Sequence, residues 1–80
     1  VTADLTPPPT VTWVVVVDSP ELPRKVELEV SAMVEVEAQV RAAEGALLTI
    51  DAADLSAKFR RRKRENQVAD VAKYAVATKK

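Results

Sequence analysis

One stretch constrains this chain more than any other: from Lys25 to Ala43 apolar and polar residues alternate almost without a break. Val26, Leu28, Val30, Ala32, Val34, Val36, Ala38, Val40 and Ala42 interleave with Glu27, Glu29, Ser31, Met33, Glu35, Glu37, Gln39 and Arg41. On a helix these apolar side chains would scatter around the axis; on a strand they fall on one face. The alternation therefore predicts an extended segment over about residues 25–42. Its length is awkward. Seventeen residues at ~3.3 Å each would reach ~56 Å, whereas a chain of 80 residues should have a radius of gyration of ~12 Å. The run must bend, carry a bulge, split near Ser31-Ala32-Met33 or project from its subunit. No Gly, Pro, Asn or Asp lies inside it to make a tight turn. We therefore expect one long, bent strand, or an arm pairing with a neighbour, rather than a hairpin.

The flanking segments complete an α+β outline. Residues 1–10, with Pro7-Pro8-Pro9, read as a flexible Pro-rich arm. Val11 to Asp18 reads as a strand, with Val11, Trp13, Val15 and Val17 on one face and Thr12, Val14 and Val16 on the other. Both faces are mostly apolar, so cover on two sides is expected. Ser19-Pro20-Glu21-Leu22-Pro23 ends it. Gly45 offers the one tight turn and Ala46 to Ile50 a short strand. Asp51 is placed to cap a helical region over about residues 52–77. The apolar residues of that region lie on opposite sides of a single cylinder: Leu55 and Phe59 on one, Val68, Val71, Ala72 and Ala75 on the other. Either the helix breaks near Asn66, which would cap a second one, or one long helix packs its halves on different surfaces. The expected fold is a single α+β domain over residues 11–80. It has a small antiparallel sheet of three to four strands, one long and bent, followed by a C-terminal helical segment.

Composition excludes several chemistries. Without Cys or His the chain cannot build a disulfide framework, the common zinc sites, or a Ser-His-Asp or Cys-His constellation. A single Gly leaves no phosphate-cradling loop. Glu27, Glu29, Glu35 and Glu37 would share a strand face, where solvated carboxylates serve solubility more often than cation binding. No enzyme, cofactor, metal site or small-molecule substrate is expected. No apolar run approaches the ~18 residues that cross a membrane, and no basic-then-apolar secretory layout opens the sequence. The expected location is the cytoplasm or an assembled particle.

Charge is zero overall but strongly divided. Residues 1–57 hold three basic groups (Arg24, Lys25, Arg41) against ten acidic ones, while residues 58–80 hold nine basic groups against two acidic ones, Glu65 and Asp70. The basic excess centres on Lys58, Arg60, Arg61, Arg62, Lys63 and Arg64. These six form a candidate contact for a polyanion or an acidic partner, weighed against a plain solvated face. Trp13, Val15, Val17, Val26, Leu28, Val30, Val34 and Val36 ask for more cover than one helix offers, which makes them a candidate subunit interface. The leading functional expectation is a non-enzymatic, self-associating assembly module, structural or accessory, of the kind found in scaffolds or virions. The second is an accessory protein that contacts nucleic-acid phosphates through the basic segment, without strong base preference.

Overall fold

A computed structural model describes residues 9–80. The elements run β1 (Val11–Val17), β2 (Val26–Ala32), α1 (Glu35–Thr49), a 3₁₀ turn (Ala52–Asp54), α2 (Ala57–Arg60), α3 (Arg64–Ala72) and β3 (Ala75–Lys79). The expected α+β architecture with an antiparallel sheet is present, and its strands number three. Most of the expected N-terminal arm lies outside the described residues; Pro9 and Thr10 are exposed and lack regular structure.

Sheet order is β2-β1-β3, and β1 is antiparallel to both neighbours. β2 and β3 thus run parallel on either side of β1, joined by a crossover that contains every helix among the described residues. Register sets Trp13 opposite Val30 and Lys79, Val15 opposite Leu28 and Ala77, and Val17 opposite Val26 and Ala75. These residues form the inner face. Trp13, Val15 and Val17 are buried in the core beside Ala38, Ala42, Ala43, Ala46 and Leu47 of α1, with Ile50, Phe59 and Val71. The Trp13 indole N–H donates to the Ala32 carbonyl at 3.1 Å, which satisfies the one polar atom of that buried ring. The hairpin between β1 and β2 folds on Ser19. Its hydroxyl accepts from the Glu21 N–H and its carbonyl from the Leu22 N–H, which turns Leu22 into the core.

Four expectations need correction. The strand anticipated over residues 25–42 stops at Ala32, and its second half is helix. Residues 35–49 contain four Ala, three Glu, two Leu, one Gln and one Arg, all strong helix formers. The buried positions Ala38, Ala42, Ala43, Ala46 and Leu47 follow helical spacing, so packing rewards the helix as well. Glu35 and Glu37 sit favourably at its positive end. Secondly, the strand and turn expected around Gly45 and Ala46–Ile50 are the last turns of the same helix. Gly45 serves close packing there: a Cβ would lie 2.9 Å from Leu28 Cδ1.

Thirdly, the helical region over 52–77 is three short pieces and a strand. Asp51 does cap, accepting from the Ala53 N–H at 2.9 Å, but what it caps is one 3₁₀ turn. The chain breaks at residues 61–63, and Asn66 lies inside α3. Fourthly, β1 is covered on one side only. Val14 and Val16 are half-buried, and Val76 beside them is 65% exposed. Together with Thr12, Glu27, Glu29, Ser31 and Thr78 they form an outer sheet face on which no described helix packs.

Candidate polyanion-contact turn

The basic segment is a sharp corner between α2 and α3. Ser56 starts α2, its hydroxyl accepting from the Phe59 N–H at 3.1 Å. Phe59 then points inward and is completely buried. Its carbonyl accepts twice, from the Arg62 N–H at 3.1 Å and from the Gln67 side-chain amide at 3.0 Å. The first bond closes the turn and the second ties it to α3.

Arg62 differs from the other five cations. Its guanidinium bonds to the Asp70 carboxylate and lies 5.8 Å from the centre of the Phe59 ring. With the side chains of Arg62 and Asp70 only 34% and 27% exposed, this pair clamps the two helices together across the corner. Lys73 adds a longer contact to the same carboxylate, at 3.8 Å. Lys58, Arg60, Arg61, Lys63 and Arg64 are all exposed, and none forms a salt bridge among the described residues. Asp54 and Lys58, four apart in sequence, form no salt bridge, because Leu55 and Ser56 interrupt the helix between them.

α3 begins without a side-chain cap. The Asn66 and Gln67 N–H groups bond to the Lys63 carbonyl, while those of Arg64 and Glu65 have no backbone partner among the described residues. Such free amides and the helix dipole favour negative charge in front of the corner. Glu65, exposed in this first turn, is the one carboxylate that opposes it without being paired to a cation.

The eight residues expected at a subunit interface separate into three groups. Trp13, Val15 and Val17 are inside the chain's own core, and Val26, Leu28 and Val30 are half-buried against it. Val34 and Val36 are exposed at the start of α1, beside exposed Met33. The carboxylates once grouped on one face are divided: Glu27 and Glu29 stand on the outer sheet face, Glu35 and Glu37 on α1. Glu29 pairs with Lys80 at 2.5 Å and Glu37 with Arg41 at 2.7 Å. Among the described residues there is no metal-ligating group of three or more carboxylates, no pocket, and no helix long and apolar enough to cross a membrane. Asp70 was the functional residue missed by sequence reasoning: its partner lies eight positions away across a chain reversal, where no helical spacing connects them.

No family model matches the chain, and comparison with curated proteins and with solved structures returns no match.

Proposed function

We propose that this chain is a non-enzymatic binding module that holds the phosphate backbone of duplex nucleic acid with the α2–α3 corner, without reading base sequence. One observation carries the reading: five exposed cations within residues 58–64 form no salt bridge among the described residues, with Glu65 the one carboxylate beside them in sequence, while the sixth, Arg62, ties the turn to α3 through Asp70. Like charges brought so close are stabilised by an external anion, and each phosphate neutralised releases condensed counterion. Three of the five are Arg, whose forked guanidinium suits phosphate oxygens. Phosphate contact supplies affinity rather than sequence information.

Duplex is favoured over single strands because stacking platforms are missing. Trp13 and Phe59 are buried, which leaves Tyr74 as the one exposed aromatic among the described residues. The assembly reading drawn from a long projecting strand loses that support, since the stretch in question is β2 followed by α1.

Salt-titrated binding to random-sequence duplex DNA tests the proposal. Three to five phosphate contacts imply a log–log slope of about −2.7 to −4.5, a loss of roughly 40- to 500-fold between 50 and 200 mM salt. Arg60→Ala with Arg61→Ala should make that slope shallower by one to two, at about 0.9 per contact. Absence of binding at about 50 mM salt, or a slope indifferent to these substitutions, refutes the reading.

A further inference from the structure

β3 is an edge strand, and the alternation of its backbone shows which groups it leaves free. The Tyr74 carbonyl accepts from the Asp18 N–H at 3.4 Å, and the Lys80 N–H donates to the Thr12 carbonyl at 3.0 Å. Even-numbered residues of β3 therefore bond to β1, and Ala75, Ala77 and Lys79 turn their N–H and C=O groups away from it. Among the described residues one group meets that outward row: the Gln39 side-chain amide donates to the Ala75 carbonyl at 3.0 Å. A carbonyl can accept a second bond, so the row remains a complete template for another strand.

We propose that β3 pairs antiparallel with β3 of a second copy of this chain, about a two-fold axis at Ala77, to make one six-stranded sheet. The outward row 75, 77, 79 is symmetric about that residue. Ala77 faces Ala77 of the second copy, Ala75 faces Lys79, and each such pair exchanges two backbone hydrogen bonds. On the outer face Val76 opposes Thr78, a pairing of two good strand formers, and Tyr74 opposes Lys80. No like charges meet. β2, the other edge, differs in its charges. Its outward row is Glu27, Glu29 and Ser31, and its Ser31 carbonyl accepts from Arg41 much as the Ala75 carbonyl of β3 accepts from Gln39. Centring β2 on Glu29 would set that carboxylate against its own copy, and centring it on Leu28 would set Glu27 against Glu29 twice. Like charge thus opposes a second copy at β2 in these two registers, whereas the register centred on Ala77 at β3 meets none. Pairing also gives the exposed Val76 a second cross-strand neighbour beside Val16.

Sedimentation equilibrium of the 80-residue chain over ~10 μM to ~1 mM, a range suited to a small interface, tests this. The mass should rise from the 8.7 kDa of one chain towards twice that value. Ala77→Pro removes an N–H that has no partner in the described chain, at an edge position where Pro is tolerated. It should hold the protein monomeric with its circular dichroism intact. The register is tested by charge. Val76→Lys with Thr78→Lys sets lysine against lysine twice and should abolish the dimer, whereas Val76→Glu with Thr78→Lys sets opposite charges together and should restore it. A wild-type chain that stays monomeric throughout overturns the proposal. So does a dimer that survives the double-lysine variant, or one that the charge-swapped variant fails to restore; these two decide the matter if Ala77→Pro does not fold.

Discussion

Two neighbouring arginines should behave in opposite ways when removed. Arg62→Ala should cost stability and leave most phosphate contact in place, while Arg61→Ala should weaken phosphate contact at little cost to stability. The Arg62–Asp70 pair lies between surface and interior, with side chains 34% and 27% exposed. Its contribution is therefore taken at the surface-bridge level of about 0.5–1 kcal/mol. The guanidinium over the Phe59 ring, 5.8 Å from its centre, adds about 0.5 kcal/mol. A total of about 1–1.5 kcal/mol corresponds, in a domain of this length, to a Tm lower by roughly 5–10 °C. Arg61 is exposed and unbridged among the described residues, so its removal should stay within about 0.5 kcal/mol of neutral.

Thermal and urea melts of both variants give the stability half of the comparison, and salt-titrated DNA binding gives the other. A double-mutant cycle through Asp70→Ala isolates the pair and should return a coupling of about 0.5–1 kcal/mol. In ~1 M salt, where the Debye length is ~3 Å, the Arg62→Ala deficit should shrink towards its ring-packing part. If Arg62→Ala melts with the wild type, the corner is not held by this clamp. If both variants lose equal salt slope, the six cations act as one undifferentiated cloud and the distinction drawn between them is wrong.

Phe59→Ala removes a wholly buried ring, and the usual cost is about 3–5 kcal/mol. Against an expected total of ~4–12 kcal/mol for a chain this short, urea titration should find the variant largely unfolded or with its midpoint lowered by about a quarter or more. Gly45→Ala should act in the other direction. The helix gains up to ~1 kcal/mol in propensity, and the atom in the way is Leu28 Cδ1, the end of a half-buried side chain that can rotate aside. A Tm raised by a few degrees is the expected outcome. A fall instead would mean that Leu28 is locked by its neighbours.

The misreading of residues 33–42 has an identifiable source. Val34, Glu35, Val36, Glu37, Ala38, Gln39, Val40, Arg41 and Ala42 continue a period of two inherited from β2. Ala38 and Ala42 also begin a four-residue stripe that continues through Ala46. Two periods coexist over the same residues, and propensity decides between them. β2 carries Val26, Leu28 and Val30 on its inward face, whereas the later segment mixes Ala38 and Ala42 with Val36 and Val40; Ala gains little from a pleated surface and loses least on a helix, and the Glu, Gln, Arg and Leu around it are helix formers too. Val36, which strand alternation places inside, is 68% exposed on the helix. Length left four ways out, a bend, a bulge, a split near Ser31-Ala32-Met33 or a projecting arm; the long bent strand or arm is the expectation, and the chain takes the split, with the strand ending at Ala32.

β3 was hidden for a related reason, yet β1 contained the clue to it. A seven-residue strand so rich in Val, as Val11 to Val17 is, is typical of a central strand, which has a neighbour on each edge. With β2 on one side, the other neighbour is β3, from the end of the chain. Beyond Tyr74 the β-branched residues Val76 and Thr78 return at a spacing of two, after a helical stretch in which Val68 and Val71 are three apart. That change of period is the local signal for β3, and it is weak because Ala75 and Ala77 are at home in either structure. The special position of Arg62 could not be read in the same way. Six basic residues in seven look alike until the chain reverses, and only the reversal brings Asp70 and the Phe59 ring to one of them. Charge density was therefore legible in advance, whereas the division between the arginine that builds the corner and the cations that the corner presents is a property of the fold.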